Sequence, residues 1–252
     1  MELIHIHGFK CAGTTLEQTL NREYEKLLLI ESKDSGSRLF FQDIPKNLLS
    51  AQSISSHLLS PSKGSDALQI SLIRDPYKRL ISAWKFQKNV TKDTRLNFRD
   101  FLNDYNNSVI SNYQSKLLSV QSKSNNYSNG WEINLDLEFL FGDSFFAGIV
   151  ERYDESMVLI EERLKARGIK KDFSYPQKAN TTKNIFPNMK IPNLRKFSFP
   201  STDCDYWLWN LVNKKMDDEI KRIESFEEKL QDFNERCKNS KFLEKKGKVT
   251  LI

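Results

Sequence analysis

The chain has 252 residues, 38% hydrophobic and 12% aromatic, which is enough apolar surface for one sizeable core and excludes a disordered chain. Thirty-nine basic against 33 acidic residues give a formal net charge of +6. That mild excess suits an anionic ligand or acceptor, but the charge is spread out and lacks the clustering of a nucleic-acid-binding protein.

The three cysteines, Cys11, Cys204 and Cys237, are odd in number and unrelated in spacing. They show neither a disulfide framework nor a zinc pattern, and free thiols in a reducing compartment are expected. Met1–Gly8 has no basic stretch ahead of an apolar core, and no apolar run is long enough to cross a bilayer. A soluble, cytoplasmic protein without stable membrane insertion is therefore expected.

Glu2–His7 alternates, is rich in β-formers and ends at Gly8, which predicts a first strand. The loop Gly8–Gly13 leads to a helix starting at Thr14, with Leu16, Leu20, Leu27 and Leu28 at helical spacing. Residues 32–38 read as a polar loop. A second strand falls within Ala51–Leu59 and ends near His57, and Pro61–Asp66 is a turn cluster. Leu68–Ile73 is apolar and bounded by turns, as a buried parallel strand should be. Asp75 reads as an N-cap and Pro76 as the first residue of a helix that turns Leu80, Ile81 and Trp84 inward.

Residues 97–120 read as helical, and residues 121–130, rich in Ser and Asn, as a mobile surface loop. Phe145–Val150 reads as a buried strand, and Asp154–Arg167 as a helix closed by Gly168. Pro176–Pro200 is irregular and basic, Asp203 to about Cys237 reads as one or two helices, and a charged tail follows. Strands alternating with helices predict a doubly wound, mostly parallel sheet.

The loop Gly8-Phe9-Lys10-Cys11-Ala12-Gly13-Thr14-Thr15 has two glycines five apart, after a strand and before a helix. Glycines let the backbone approach a phosphate, and N–H groups at the helix N-terminus face the anion. The lysine of a nucleotide-kinase loop is missing: Thr14 occupies its place and Lys10 sits inside the loop. The plain alternative is a tight turn with a surface lysine. A second strand–turn–helix reads Leu72-Ile73-Arg74-Asp75-Pro76-Tyr77-Lys78-Arg79-Leu80-Ile81-Ser82-Ala83-Trp84, and a third strand leads into Glu151-Arg152-Tyr153-Asp154-Glu155-Ser156.

These three segments resemble, in order, landmarks of the sulfotransferases that use 3′-phosphoadenosine 5′-phosphosulfate (PAPS): the 5′-phosphosulfate loop, the 3′-phosphate motif, and a helix start typical of the carbohydrate branch related to heparan and dermatan uronyl 2-O-sulfotransferases. The resemblance covers residues 3 to about 165. It implies a P-loop-like three-layer α/β fold with a central mostly parallel sheet, in one domain over 1–252: a core over about 1–200 and a C-terminal helical segment over about 203–238. It also implies sulfuryl transfer from PAPS to a hydroxyl, on a sugar in that branch, with adenosine 3′,5′-bisphosphate as product and no metal.

On this resemblance Lys10, Cys11, Ala12, Gly13, Thr14 and Thr15 hold the phosphosulfate, and Arg74 and Ser82 hold the 3′-phosphate. A lysine inside the loop suits a donor without a triphosphate tail, because charge builds on the bridging oxygen as the sulfuryl group leaves. Arg74 offers a planar fork of donors to a phosphate; the alternative is an ion pair with Asp75 or another carboxylate. For Ser82 the alternative is helix packing. Lys78 and Arg79 read as a solvated face and Trp84 as core.

The acceptor must lose a proton, and the chain has three histidines: His5, His7 and His57. In the resembling branch the base is a histidine after the second strand. Ser55-Ser56-His57-Leu58 matches that place, so His57 is the expected general base and Lys10 its catalytic partner. His5 and His7 share one facing on the first strand and read as structural. Glu31 and Asp43 remain fallback bases. Ala179-Asn180-Thr181-Thr182-Lys183-Asn184 loosely resembles a segment that closes over the nucleotide, which implies a 3′-phosphate contact for Lys183; the alternative is a solvated loop lysine. The competing classes are a P-loop nucleotide kinase, which needs Mg²⁺ and a lysine at position 14, and a non-catalytic glycan- or nucleotide-binding module.

Overall fold

Four segments, Leu3–Ile6, Ser53–Ser56, Leu68–Ile73 and Phe145–Ile149, are buried at every residue. Strands buried on both faces belong to a parallel sheet covered by helices on either side, and such a sheet forms here. The structure is a computed structural model that describes residues 1–32, 44, 48, 50–93, 95–103, 110–120, 133–176, 202–241 and 249–251. Its strands are β1 (Leu3–Ile6), β2 (Leu27–Ser32), β3 (Ser53–Ser56), β4 (Leu68–Ile73), β5 (Phe145–Ile149) and β6 (Val249–Leu251). They pair in parallel in the order β5-β4-β1-β3-β2-β6.

The helices are α1 (Gly13–Glu23), α2 (Pro76–Thr91), α3 (Phe98–Leu102), α4 (Tyr113–Leu117), α5 (Leu137–Leu140), α6 (Tyr153–Ala166), α7 (Asp203–Ile220) and α8 (Phe226–Asn239). Helix α6 packs on β5 and α8, and α7 packs on β5 and α4. One core runs through the sheet and these helices, from Leu3 and Ile54 to Phe173 and Phe233. A second cluster joins Leu80, Ala83 and Trp84 of α2 to Phe98, Phe101 and Leu102 of α3. Helix α2 starts as expected, with the Asp75 carboxylate accepting from the Lys78 amide at 2.8 Å and Pro76 behind it. Gly168 takes a positive φ of 74° just past α6, the left-handed helix exit that glycine adopts without a Cβ penalty.

The structure corrects several sequence expectations. Leu27 and Leu28 belong to β2, because Tyr24 is extended (φ −118°, ψ 119°) and ends α1. Within residues 97–120 the described residues form two short helices, α3 and α4. Strand β6 lies in what reads as a charged tail. Arg79 is fully buried, with its guanidinium 4.8 Å over the Tyr113 ring; only Lys78 is exposed as expected. Residues 121–130 and 177–200 lie outside the described residues. No described helix is long and apolar enough to cross a membrane.

Candidate active site

A parallel sheet delivers all its carboxyl ends to one edge. Here β1 runs into the glycine loop, β3 into His57, β4 into Arg74, and β5 into Glu151. The strand order reverses around β1, with β3 on one side and β4 on the other. That crevice is where open α/β sheets bind ligands.

Within the loop, Lys10 (φ 62°) and Ala12 (φ 59°) are left-handed although neither is glycine. Such residues alternating with ordinary ones turn successive N–H groups toward one concavity, a nest for an anion, at the N-terminus of α1. The strain is held from several sides. The Cys11 amide donates to Gly8 O at 3.1 Å, and the Phe9 amide to the Tyr113 hydroxyl at 3.0 Å. The Cys11 thiol points inward, 3.5 Å from Gln114 Oε1, and burial pushes its pKa up to about 12. It is an anchor of the loop and stays protonated.

Thr14 is exposed at the helix start, whereas Thr15 is buried and its amide donates to Ala12 O at 3.1 Å. Lys10 Nζ lies 4.6 Å from the Phe86 ring centroid and 5.9 Å from that of Phe9. Burial and then the nearby Arg74 charge lower its pKa.

Arg74 meets the loop directly, since its Nη1 donates to Lys10 O at 3.3 Å. Its Nε is buried without a hydrogen bond and stands 3.8 Å from Glu151 Oε1. The nearby-carboxylate alternative is thus present as an ion pair, yet a spare buried donor remains, as a phosphate ligand requires. Glu151 also accepts from the Asp75 amide at 3.1 Å, tying the end of β5 to the start of α2. Ser82 is half-buried, two turns into α2.

The buried Gln114 side chain joins the two motifs. Its oxygen accepts from the Arg74 amide at 2.7 Å and its nitrogen donates to Arg74 O at 2.9 Å, while Cys11 sits on the same oxygen. Asp205 of α7 fixes Gln114 in turn, accepting from the amides of Gln114 and Ser115 at 3.2 and 2.7 Å.

The three histidine rings form a column. His5 and His7 stack at 5.1 Å, and His7 and His57 at 3.7 Å. His57 is exposed at the top, and its Nδ1–H donates to the His7 carbonyl at 2.8 Å. A carbonyl only accepts, so in the neutral ring the lone pair is on Nε2, the atom a general base uses. The His7 ring occupies the space beside Gly13, where a Cβ would stand 1.8 Å from its Nε2. The absent side chain of Gly13 therefore lets the column seat against the glycine loop.

Lys10, Cys11, Ala12, Gly13, Thr14, Thr15, Arg74 and His57 are thus gathered at one edge. Lys183 and Asp43 lie outside the described residues, as does the Glu31 side chain. Sequence reasoning missed Gln114, Asp205 and Phe86, which come from distant segments, and gave Glu17 and Ser55 no role. It also found no metal-ligand cluster, whereas ligand atoms of His5, His7 and Glu17 lie within 4.8 Å of one another. The pattern His5-x-His7 on one strand face was the available signal.

A search of curated proteins finds no match. The crystal structure of a sulfotransferase from Alicyclobacillus acidocaldarius aligns over 89% of this chain and 97% of that one, at 10% identity and a TM-score of 0.41, a level of likeness that decides nothing by itself. The sequence model of the sulfotransferase family, however, matches residues 2–242, nearly the whole chain. The chain belongs to the sulfotransferase family, enzymes that move a sulfuryl group onto an acceptor.

Proposed function

We propose that this sulfotransferase takes its sulfuryl group from PAPS and places it on a hydroxyl of a carbohydrate, with His57 as general base. One observation carries the reading: the left-handed loop that holds Lys10 is joined to Arg74 on one side and, through Gly13 and His7, seats His57 on the other. That arrangement supplies the kinds of group that two phosphates and an acceptor hydroxyl would need, which supports the reading.

In this reading the 5′-phosphosulfate rests on the loop and the first turn of α1, at Lys10, Gly13, Thr14 and Thr15. The 3′-phosphate takes Arg74, with its spare Nε, and Ser82; Lys183 is a further proposed contact. The acceptor oxygen attacks sulfur in line. The new O–S bond forms as the bridging S–O bond breaks, the acceptor proton goes to His57 Nε2, and adenosine 3′,5′-bisphosphate leaves with the bond's electron pair. Lys10 meets the charge that builds on the bridging oxygen.

The carbohydrate class is supported by the Glu151–Ser156 landmark and the mild basic excess. All three cysteines are free thiols, which supports a reducing, cytoplasmic setting. Thr14 in place of a lysine argues against the kinase alternative.

The test is transfer of labelled sulfate from PAPS to a panel of neutral and acidic glycans. His57→Ala should lower the rate about 10²–10⁴-fold, and Lys10→Ala about 10²–10³-fold, in folded protein. Phosphoryl transfer from ATP with Mg²⁺, and no sulfuryl transfer, would sink the proposal.

A further inference from the structure

Glu17, on the second turn of α1, is a largely buried carboxylate that the reaction above does not use, and it lies at the root of the histidine column. Its Oε1 accepts from His7 Nδ1 at 2.9 Å and from the Ser55 hydroxyl at 2.9 Å. An ionised carboxylate only accepts, so both partners donate. Ser55 has spent its one hydrogen, so its oxygen must accept from His5 Nδ1–H, 2.9 Å away. The Nδ1 protons of the column are thereby placed: His5 donates to Ser55, Ser55 and His7 to Glu17, and His57 to the His7 carbonyl. The hydrogen bonds also hold Glu17 ionised. Burial alone would raise its pKa, but the hydrogen bond from His7, the electrostatic pull of the His7 and His5 rings and the bond from Ser55 bring it from 4.5 to about 2.

We propose that Glu17 is a positioning residue for the base: it holds the His7 ring that stacks under His57, and its charge offsets the positive charge His57 acquires. This inference rests on the reading of His57 as base. The charged and titratable groups facing His57 within the column are His5 of β1, His7 just after it and, through His7, Glu17 of α1. On protonation His57 becomes a cation stacked 3.7 Å from an imidazole. Glu17 alone in the column is negative, so removing its charge leaves that cation harder to form. Losing the charge also weakens the hold on the His7 ring that sits beside Gly13.

The test is Glu17→Gln, which keeps an acceptor oxygen and loses the charge, with Glu17→Asp as the conservative variant and thermal melting to establish folding. With three histidines in the chain, nitrogen NMR follows each ring, and His57→Ala assigns one of them. The wild type should show His57 protonated at Nδ1 when neutral. In Glu17→Gln its pKa should fall by about half a unit or more, and the acid limb of kcat/KM should move to lower pH by the same amount. The rate constant kcat should drop tenfold or more, adenosine 3′,5′-bisphosphate affinity should stay within about threefold, and Glu17→Asp should recover part of kcat.

An unchanged His57 titration and kcat in folded Glu17→Gln would overturn the inference and leave the base assignment intact. Full activity in His57→Ala would instead sink the base assignment. Stoichiometric zinc or cobalt binding that disappears in Glu17→Gln would also overturn the inference, since His5, His7 and Glu17 would then be metal ligands.

Discussion

Gly13→Ala tests the central packing of the site. Position 13 opens α1, and alanine there is favoured on backbone grounds by up to about 1 kcal/mol. The new methyl, however, would fall 1.8 Å from His7 Nε2 and 1.9 Å from His7 Cδ2, so the ring must leave. Its departure breaks the 2.9 Å hydrogen bond to the Glu17 carboxylate and the 3.7 Å stack under His57. A hydrogen bond to a charged group is worth about 1.5–3 kcal/mol, and overpacking costs about 1–3 kcal/mol. After the backbone gain, a net loss of about 2–5 kcal/mol follows, which is about 4–20 °C in Tm for a chain of this size. The assay is a double-mutant cycle of urea and thermal melts over Gly13→Ala, His7→Ala and the pair. With the ring gone the methyl has room, so the two changes should couple by about 1–3 kcal/mol. A Gly13→Ala cost that is negligible, or equal in both backgrounds, would refute the packing argument.

Two further outcomes follow from the same geometry. Phe86 is 42% exposed and holds Lys10 Nζ 4.6 Å from its ring; a partly exposed cation–π contact is worth about 0.5–1 kcal/mol. Phe86→Leu should therefore lower kcat/KM for PAPS about two- to fivefold and Phe86→Tyr should not, as steady-state kinetics will show. The column also sets an acid profile of stability. The folded-state pKa of Glu17 is depressed from 4.5 to about 2, so its contribution is complete above about pH 4.5 and is lost as pH falls toward 2. His5 is held well below 6.5 by burial and then by His7. Below about pH 6.5 the unfolded chain takes up a proton that folded His5 refuses, so stability falls through that range as well. Urea melts from pH 7 to 3 should show both slopes, the first flattened in Glu17→Gln and the second in His5→Asn.

Local signals were strong where one segment carries its own physics. The Asp75 cap with Pro76, the buried run Leu68–Ile73 and the glycine after α6 all appear where composition and spacing put them. Leu27 and Leu28 misled because seven- and eight-residue steps from Leu20 fit a helix as well as a fresh apolar run. The choice of strand was made by pairing with Ser53 and Ile54 on β3, a contact no local pattern reports. Arg79 reads as solvated until Tyr113, far along the chain, supplies a ring for it. Lys10, Arg74 and His57 were legible because each follows a strand and so must reach the same edge. Gln114, Asp205 and Glu17 were not, because their roles depend on partners ten to ninety-one residues away.

The most direct test of the whole account is calorimetric titration of adenosine 3′,5′-bisphosphate without metal, beside AMP and ATP. The account predicts tight binding that requires the 3′-phosphate and weakens about tenfold to a hundredfold in Arg74→Ala, the worth of charged hydrogen bonds to one phosphate. Equal binding of AMP, or binding of ATP alone and only with Mg²⁺, would contradict it.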